Sequence, residues 1–573
     1  MAPVIGTYIT FQETNGDKPS SSEEFKSILR ELPRNQLVRT CAVINALTAN
    51  WSRKYDAVAQ ARLIRTFFRQ PFADAAIATG RPIFHRHQLL FTIQETLRAC
   101  DKPDEPASAE LHHRIGRLLL MANDHLNVSI DDAISPLDRV VSAILGLIPA
   151  VEANRVTSYV QTMARSVLMF TRFVEPRRNL PNFFDAYRLF EDATSLPLET
   201  FFVLLFASLS RFGKPEKIRE STNFADFAIP PTWFSSTKVP TENIQSFLAA
   251  MSHPIEELAQ NIVRTNPGAH NFVLLKDKPL VSDGVGYFPI DFDFLTEKFY
   301  SGVFWSINSH LPNERRKNFH AFWGEVFEDY LNWLLSSSCS GKANRFYKDP
   351  RYENNPEEQV CDGLIVCDRT AILIEYKGST FRATSKYGES FEQIKHELEE
   401  KLVEGTPDSK KGVKQLIPAV ERLCRRENPD SIRSVDLSFV TTVLPLIIIR
   451  DELGSTPGLG MYLNSRFQEM KPKRLFRAVL PLFCLSANDM ERLTPYLIDV
   501  RLDKILLGWQ RQDKGLFKSF GMVDHREIDS KGDRRPEFMK LAFDWLKETS
   551  ALVLGLQPQN SERADPGASE PAS

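Results

Sequence analysis

The length, composition and charge of the chain are those of an ordinary folded protein. It has 573 residues, of which 42% are hydrophobic and 25% are charged, and its formal net charge is −2. At roughly 150 residues per domain, this length predicts two to four domains with sizeable cores. The composition excludes collagen-like, fibrous and largely disordered classes. Because the net charge is close to zero, a polyanionic partner would have to bind local basic patches.

The cysteines and the apolar segments favour a reducing compartment. The seven cysteines include no CxxC pair and no paired spacing of a zinc site, which argues against a disulfide framework and against structural zinc. The first residues lack the basic and apolar regions of a signal peptide, and no stretch approaches the ~18 apolar residues of a spanning helix. We therefore expect a cytoplasmic protein that does not insert into a membrane.

Residues 1–268 have the pattern of a helical N-terminal domain. A capping box begins at Ser21, directly before an apolar stripe of helical period. The segment 135–138 carries Ser, Pro and Asp at the positions that favour a helix start, and that helix is expected to end before Pro149. Residues 229–243 are rich in Pro, Ser and Thr and begin a candidate linker that continues to the end of this domain.

After residue 268 the hydrophobic period changes. Residues 269–312 read as a hairpin-bearing segment: the run NFVLL, the turn KDKP and the run LVSDGVGYFPI form the hairpin, which leads into a helix near Phe294. Residues 313–556 mix strand and helix patterns, which predicts an α/β domain. Residues 557–573 are rich in Pro, Ser, Ala and Gly with almost no large apolar side chains, so we expect a disordered tail.

One segment, CDGLIVCDRTAILIEYK at 361–377, concentrates chemically useful side chains in a predicted β-hairpin. In its second strand Glu375 and Lys377 share a face with Leu373, because side chains alternate along a strand. Antiparallel pairing across the short turn brings the start of the first strand beside the end of the second, and so brings Asp362 within reach of Glu375. Two carboxylates and one ammonium group are thus predicted to converge.

This combination indicates metal-assisted hydrolysis of a phosphodiester. Two close carboxylates repel each other, and a hard divalent cation such as Mg²⁺ relieves the repulsion. A neighbouring lysine can orient or help deprotonate the attacking water, and it can offset negative charge in the transition state.

The run DGLIV from Asp362, the turn, and ILIEYK ending at Lys377 together resemble the core motif of the PD-(D/E)xK nuclease superfamily, the restriction-endonuclease-like fold. The resemblance implies that Asp362 and Glu375 bind the metal and that Lys377 serves the water. Cys361 stands where the motif name has Pro, at a position that varies widely in this superfamily. The resemblance extends from the helix near 319 to the helix near 424. By chance alone, the bare spacing also arises in chains of this length, and a solvated strand end is the alternative.

The helix predicted at 318–335 precedes the hairpin and carries a broad apolar stripe. Glu325 and Glu328 flank opposite edges of this stripe, so periodicity does not choose between them. The resemblance to the first helix of the family implies that Glu328 reaches the metal; Glu325 and a merely solvated glutamate are the alternatives.

Gln415 lies beside the apolar stripe of a second predicted helix, after the hairpin. The resemblance implies that it helps to hold the site, as a glutamine does in some branches of the family, and a surface glutamine is the alternative. Pro418 inside the pattern is expected to kink this helix. Basic residues near the motif are expected to contact a nucleic-acid backbone, with solvated faces as the alternative; they are Arg315, Arg316, Lys317, Arg345, Lys348, Arg351, Lys410, Lys411, Lys414, Arg422, Arg425 and Arg426.

The sequence therefore predicts an N-terminal all-α domain followed by an α/β domain of restriction-endonuclease-like fold, with a mixed central sheet flanked by helices. The resemblance implies a Mg²⁺-dependent endonuclease acting on DNA, in which Mn²⁺ substitutes for Mg²⁺. Defence against foreign DNA and a protein partner or homodimer bound through the helical domain are expectations by analogy. The alternatives are a catalytically silent nuclease fold that binds nucleic acid or protein, and an interaction protein in which the ExK sequence is accidental.

Overall fold

The computed structural model describes residues 8–48, 57–126, 135–154, 158–212, 227–230, 232–387, 390–406, 409–425 and 429–555. Within these ranges the chain combines a helical region with a region built on a mixed β-sheet, as the sequence predicts. The α-helices before residue 268 are Phe11–Thr14, Ser22–Arg30, Arg34–Thr48, Ala57–Phe67, Gln70–Ala78, Arg86–Ala99, Ala109–Ala122, Pro136–Asn154, Tyr159–Leu168, Ala186–Thr194, Leu198–Phe212, Thr241–Met251 and Ile255–Thr265. The later α-helices are Val273–Asp277, Phe292–Glu297, Val303–His310, Asn313–Ser338, Ala383–Tyr387, Phe391–Leu398, Val413–Cys424, Leu459–Met470, Ala487–Leu493, Leu502–Gln512, Arg526–Asp529 and Glu537–Leu554.

The strands form one large sheet and two small ones. In chain order they are β1 Ser252–Pro254, β2 Leu280–Ser282, β3 Tyr287–Pro289, β4 Arg345–Lys348, β5 Gly363–Cys367, β6 Thr370–Lys377, β7 Gly405–Thr406, β8 Ser409–Lys410, β9 Thr442–Ile449, β10 Ala478–Val479 and β11 Phe483–Ser486. The small sheets are β1-β2-β3 and β7-β8. The large sheet has the order β10-β9-β6-β5-β4. Strand β11 also pairs with β9, on the same edge as β10 but closer to the end of β9.

The large sheet is mixed. Strands β4, β5 and β6 are antiparallel neighbours, whereas β9 runs parallel to β6 and β11 runs parallel to β9. A parallel pair needs a crossover connection, and helices between β6 and β9 supply it. Strands β5 and β6 are buried along their whole length, as expected for strands that are covered on both faces.

The two faces of β6 pack into two different hydrophobic cores. Ile372, Ile374 and Tyr376 lie in the core that also contains the apolar stripe of helix Asn313–Ser338. Leu373 lies in the other core, together with the apolar stripe of helix Val413–Cys424. This division confirms the predicted alternation along the strand.

The larger core continues across residue 268. Helix Glu537–Leu554, near the end of the chain, packs against helices Tyr159–Leu168 and Leu198–Phe212 of the first half. Helix Pro136–Asn154 packs against helix Leu459–Met470 in the second core. The sequence-based boundary at 268 therefore does not coincide with a boundary of the hydrophobic core.

Several local predictions can be compared directly with the structure. The predicted helix start at Ser21 is confirmed, because the Ser21 side chain accepts a hydrogen bond from the Glu24 backbone at the start of Ser22–Arg30; the reciprocal bond of a full capping box is not formed. The predicted end before Pro149 is wrong, because that helix continues to Asn154. A proline weakens a helix interior, but most helix stability comes from tertiary packing, and this helix packs against helix Leu459–Met470. The predicted hairpin of NFVLL and LVSDGVGYFPI across the turn KDKP is wrong, because the first run contributes to the short helix Val273–Asp277. The hairpin that forms lies within the second run, as β2 and β3. The predicted tail, 557–573, lies outside the described residues.

Two further observations concern membranes and thiols. Among the residues that the structure describes, no single helix has the length and apolar character needed to cross a membrane. Helices Ala186–Thr194 and Leu198–Phe212 meet the length and composition requirement only as a pair, and they are bent by 68°. All seven cysteines are described, and each is a buried free thiol.

Candidate active site

The β5-β6 hairpin sets the position of Asp362. Gly363 pairs with Ile374, and the Asp362 backbone N–H donates to the Ile374 carbonyl at 3.1 Å. The turn consists of two residues, and its first residue, Asp368, has a φ of 51°, the left-handed conformation that such turns require and that aspartate tolerates. One carboxylate oxygen of Asp362 accepts the Tyr376 backbone N–H at 2.7 Å. Asp362 is thereby held beside the end of β6, as the sequence predicts.

Glu375 lies next to Asp362 and is almost fully buried. Its exposed fraction is 3%, and Lys377 Nζ donates to its Oε1 at 2.6 Å. Burial raises the pKa of Glu375 to about 8, although the charge of Lys377 opposes this shift. Burial also raises the pKa of Asp362, and the two carboxyl groups are close enough to share a hydrogen bond.

Lys377 is fixed by two acceptors. Besides Glu375, its Nζ donates to Gln415 Oε1 at 2.6 Å. The same Gln415 oxygen accepts the Gly412 backbone N–H at 3.0 Å, so it also caps the first turn of helix Val413–Cys424. Gln415 therefore lies at the site, as predicted. The helix continues through Pro418 and ends at Cys424.

Gly412 makes this arrangement possible. Its φ of 54° lies in the left-handed region, and a Cβ at this position would be 1.8 Å from the Leu402 carbonyl oxygen. Only glycine fits such a position. Gly412 therefore fixes the start of the helix that carries Gln415, a role that periodicity and motif spacing did not reveal.

The structure places Glu328 and Glu325 in different surroundings. Burial, with smaller contributions from the charges of Asp362 and Asp329, raises the pKa of Glu328 to about 7, so Glu328 is close to the carboxyl group of the hairpin. Glu325 instead forms an ion pair with Arg177. This position agrees with the choice of Glu328 as the metal-facing residue, which stays a prediction.

A close approach of two glycines sets the spacing between this helix and β6. A Cβ added to Gly378, directly after Lys377, would be 2.9 Å from the Gly324 Cα. Gly324 is four residues before Glu328, so both lie on one face of the helix. The contact lets the helix backbone approach the strand end. The sequence shows both glycines, but only the fold shows that they meet.

A cavity of about 180 Å³ opens beside the two carboxyl groups. The loop before Asp362 and helix Val413–Cys424 form its walls. Its lining residues are Tyr352, Glu358, Gln359, Val360, Cys361, Asp362, Glu375, Gln415, Pro418 and Ala419.

The basic residues near the hairpin fall into two groups. Arg351 pairs with Asp349, and Arg422 and Arg425 both pair with Asp430. These guanidinium charges are therefore largely neutralised within the protein. The second group is exposed and comprises Arg315, Lys317, Arg345 and Lys414. Lys348 is also exposed, but its Nζ lies 3.3 Å from Asp329 Oδ1. Of the remaining predicted contacts, Arg426 lies outside the described residues.

The residues at the hairpin fit a magnesium ion. Among the described residues, no group of three or more His, Cys, Asp or Glu side chains is arranged to hold a metal. Asp362 and Glu375 nevertheless provide two adjoining oxygen ligands whose mutual repulsion a cation would relieve. Mg²⁺ is commonly bound through one or two carboxylates and keeps several waters, so this donor set suits it. Two further carboxylates lie near this pair: Glu328 has Asp362 among the charges that raise its pKa, and Asp349 is among the charges that raise the pKa of Asp362.

Comparison with known proteins assigns no relative to the chain. No family model matches it, and neither a curated protein nor a solved structure matches it.

Proposed function

We propose that the protein is a Mg²⁺-dependent nuclease that hydrolyses phosphodiester bonds at the β5-β6 hairpin. The observation that carries this proposal is the convergence of Asp362, Glu375 and Lys377 at the end of a buried strand, where Glu375 is within hydrogen-bond distance of both Asp362 and Lys377. The element order supports a restriction-endonuclease-like fold: helix Asn313–Ser338, then β4 to β6, then helices, then β9 parallel to β6.

Each side chain has a distinct role in this proposal. Asp362 and Glu375 hold the divalent ion, which when bound would polarise the phosphodiester. Lys377, held in place by Gln415, donates a hydrogen bond to the attacking water and offsets negative charge on the phosphate as it is attacked. Glu328 supports the ion from the helix. Lys377 must leave Glu375 for this to occur, which frees its ammonium group for the water.

The same proposal also covers the substrate, the biological role, the location and the partner of the protein. Exposed basic residues on β4, Arg345 and Lys348, can contact a phosphate backbone, and we propose endonucleolytic cleavage of DNA in defence against foreign DNA. The seven buried free thiols support a cytoplasmic location. We propose that the helical region binds a protein partner or a second copy of the chain.

One observation favours a second candidate, a catalytically silent nuclease fold that binds nucleic acid or protein. Lys377 already neutralises Glu375 through a 2.6 Å ion pair, and such a pair could serve only to stabilise the strand end.

A cleavage assay separates the two candidates. Plasmid, linear duplex, single-stranded DNA and RNA are incubated with the protein in Mg²⁺, Mn²⁺ or chelator. The nuclease proposal expects metal-dependent cleavage of plasmid that is absent in chelator and in Asp362→Asn. Binding of these nucleic acids without cleavage under any metal condition would support the silent module instead.

A further inference from the structure

The cavity beside the two carboxyl groups extends beyond the proposed hydrolytic centre. Three of its lining residues, Asp362, Glu375 and Gln415, belong to that centre. Pro418 and Ala419 also line the cavity, and they lie one turn further along the helix than Gln415, about 5 Å along the helix axis. The volume of about 180 Å³ is that of about six water molecules. The cavity therefore has room for a planar ring beside the position where the reacting phosphate is proposed to bind.

The rest of the lining combines apolar surface with hydrogen-bonding side chains. Tyr352 and Pro418 provide the apolar surface, and Glu358 and Gln359, from the loop before Asp362, provide polar groups. The Arg422 guanidinium carbon lies 3.5 Å from the centre of the Tyr352 ring, which holds this ring in place. Such a wall suits a flat ligand that has polar groups along its edge.

The polar groups of the cavity are rich in hydrogen-bond acceptors. The described residues that line it include three carboxyl groups, those of Glu358, Asp362 and Glu375, but neither a lysine nor an arginine. Two cations lie just behind this lining, and both are already engaged, because Arg422 pairs with Glu358 and Lys377 pairs with Glu375. A further phosphate group would meet these carboxylates without a free cation to balance its charge. A neutral group that donates hydrogen bonds fits the cavity better.

Glu358 and Gln359 can pair with such a group. Glu358 Oε1 receives Arg422 Nη1 at 2.6 Å, and its Oε2 receives Asn355 Nδ2 at 3.1 Å. Each carboxylate oxygen can accept more than one hydrogen bond, so acceptor capacity remains. Gln359 is exposed, and its Nε2 makes only a long contact of 3.4 Å with Asp362 Oδ1. A ligand edge with a donor next to an acceptor would therefore meet an acceptor in Glu358 and a donor in Gln359.

We infer that this cavity binds an unpaired nucleobase whose pairing edge has an amino group next to a ring nitrogen acceptor, which is the pattern of cytosine and adenine. Thymine and uracil have a carbonyl oxygen in place of the amino group, so they would oppose one acceptor to another at Glu358. The inference rests on the proposed function, in which the base belongs to the nucleotide whose phosphate reacts. Because a base must leave the stack to enter such a cavity, the substrate class is single-stranded or locally unpaired nucleic acid.

Nucleosides test the cavity without phosphate, metal or cleavage. Cytidine, adenosine and uridine are each added to the full-length protein in chelator, and saturation-transfer NMR measures their binding. We expect cytidine and adenosine to bind at least about five times more tightly than uridine, as one pair of base-edge hydrogen bonds allows. Glu358→Gln offers uridine a donor and should remove this preference. Glu357→Gln is the matched control, because Glu357 is exposed and does not line the cavity, and it should keep the preference.

Thermal melting of each variant checks its folding. If Glu358→Gln melts early, Gln359→Met is the second variant, and it should weaken cytidine binding several-fold because it lacks the amide donor. Three results would overturn the inference: no nucleoside binds to the parent, all three bind equally well, or the preference persists unchanged in the folded Glu358 and Gln359 variants.

Cleavage of single strands relates the cavity to the proposed function. A thymine oligonucleotide with one central cytosine should be cut mainly at the phosphates next to the cytosine, and Glu358→Gln should lose this preference. Uniform cutting by the parent would overturn the assignment of the base to the reacting nucleotide. The two proposals fail separately: selective nucleoside binding without any cleavage keeps the base site and loses the nuclease, whereas cleavage without nucleoside binding keeps the nuclease and loses the base site.

Discussion

Two carboxyl groups and one ammonium group lie close together in a small buried space at the end of β6. The sum of their charges decides what the site can bind. Lys377 forms its ion pair with Glu375 rather than Asp362, while Asp362 receives the Tyr376 backbone N–H. Burial raises the pKa of both carboxyl groups, so the lysine alone does not offset their desolvation. An added cation would therefore be stabilised by both carboxylates and opposed by the lysine.

Lys377→Ala should separate catalysis from metal binding. We expect the cleavage rate to fall by at least about 100-fold, because a hydrogen-bond donor to the reacting groups is lost. Mn²⁺ affinity should persist or rise, because removing the ammonium group relieves its repulsion with the ion. Calorimetry with Mn²⁺ beside cleavage rates measures both effects.

Asp362→Asn and Glu375→Gln are the matched comparisons for Lys377→Ala, and each should lose both metal binding and cleavage. The nuclease assignment at this hairpin fails if Lys377→Ala cleaves as well as the parent, or if the two carboxylate variants bind Mn²⁺ unchanged.

Glu328 and Glu325 allow a comparison within one turn of the same helix. Replacing Glu328 with Gln should lower cleavage by about 10- to 100-fold, as loss of a supporting metal ligand commonly does. Glu325→Gln changes only contacts away from the hairpin, namely the ion pair with Arg177 and the hydrogen bonds from Asn182, and should leave cleavage nearly unchanged. Steady-state rates and melting temperatures of both variants check this. Equal small effects on cleavage would mean that the helix only packs against the sheet.

At the scale of elements, the β5-β6 hairpin could be predicted because neighbouring residues in the sequence specify it. The alternation of apolar and charged residues and a two-residue turn define β5, β6 and the position of Asp362. The positions of Gly324 and Gly412 carry no such local signal, since each depends on a partner far away in sequence. The strand predicted near Val273 is wrong for a different reason, because a short apolar run fits a buried helix turn as well as a strand.

The contact between Gly378 and Gly324 predicts opposite effects for two identical substitutions. Gly378→Ala places a Cβ 2.9 Å from the Gly324 Cα, so the helix must move away and carry Glu328 with it. We expect a loss of about 1–3 kcal/mol in unfolding free energy and reduced cleavage. The Cβ of Gly324→Ala meets no atom within 4 Å, and alanine favours the helix by up to about 1 kcal/mol.

Urea unfolding and cleavage rates of these two glycine variants provide the measurement. If Gly378→Ala is as stable and as active as Gly324→Ala, the glycine contact does not set the helix position.

At the scale of the whole molecule, the two halves of the chain share buried polar contacts as well as a core. Arg165 in the first half lies within 3.2 Å of Glu491 in the second, and their side chains are 3% and 0% exposed. Glu491 also accepts from Tyr330 Oη at 2.8 Å and from Gln161 Nε2 at 2.6 Å. Patterns of period and composition could not reveal this network, because its members are separated by up to 330 positions.

Arg165→Met should destabilise the entire protein rather than one half. It keeps much of the side-chain volume but leaves Glu491 buried without its cation, which costs about 3–5 kcal/mol when one partner of a buried pair is removed. Because the larger core runs through both halves, we expect one urea transition whose midpoint falls as a unit, whether it is followed by tryptophan fluorescence or by circular dichroism. Adding Glu491→Gln should recover part of the loss, since the amide needs no cation. Two separate transitions, with only the first shifted, would instead mean that the helical half unfolds by itself and that the shared core does not couple it to the sheet.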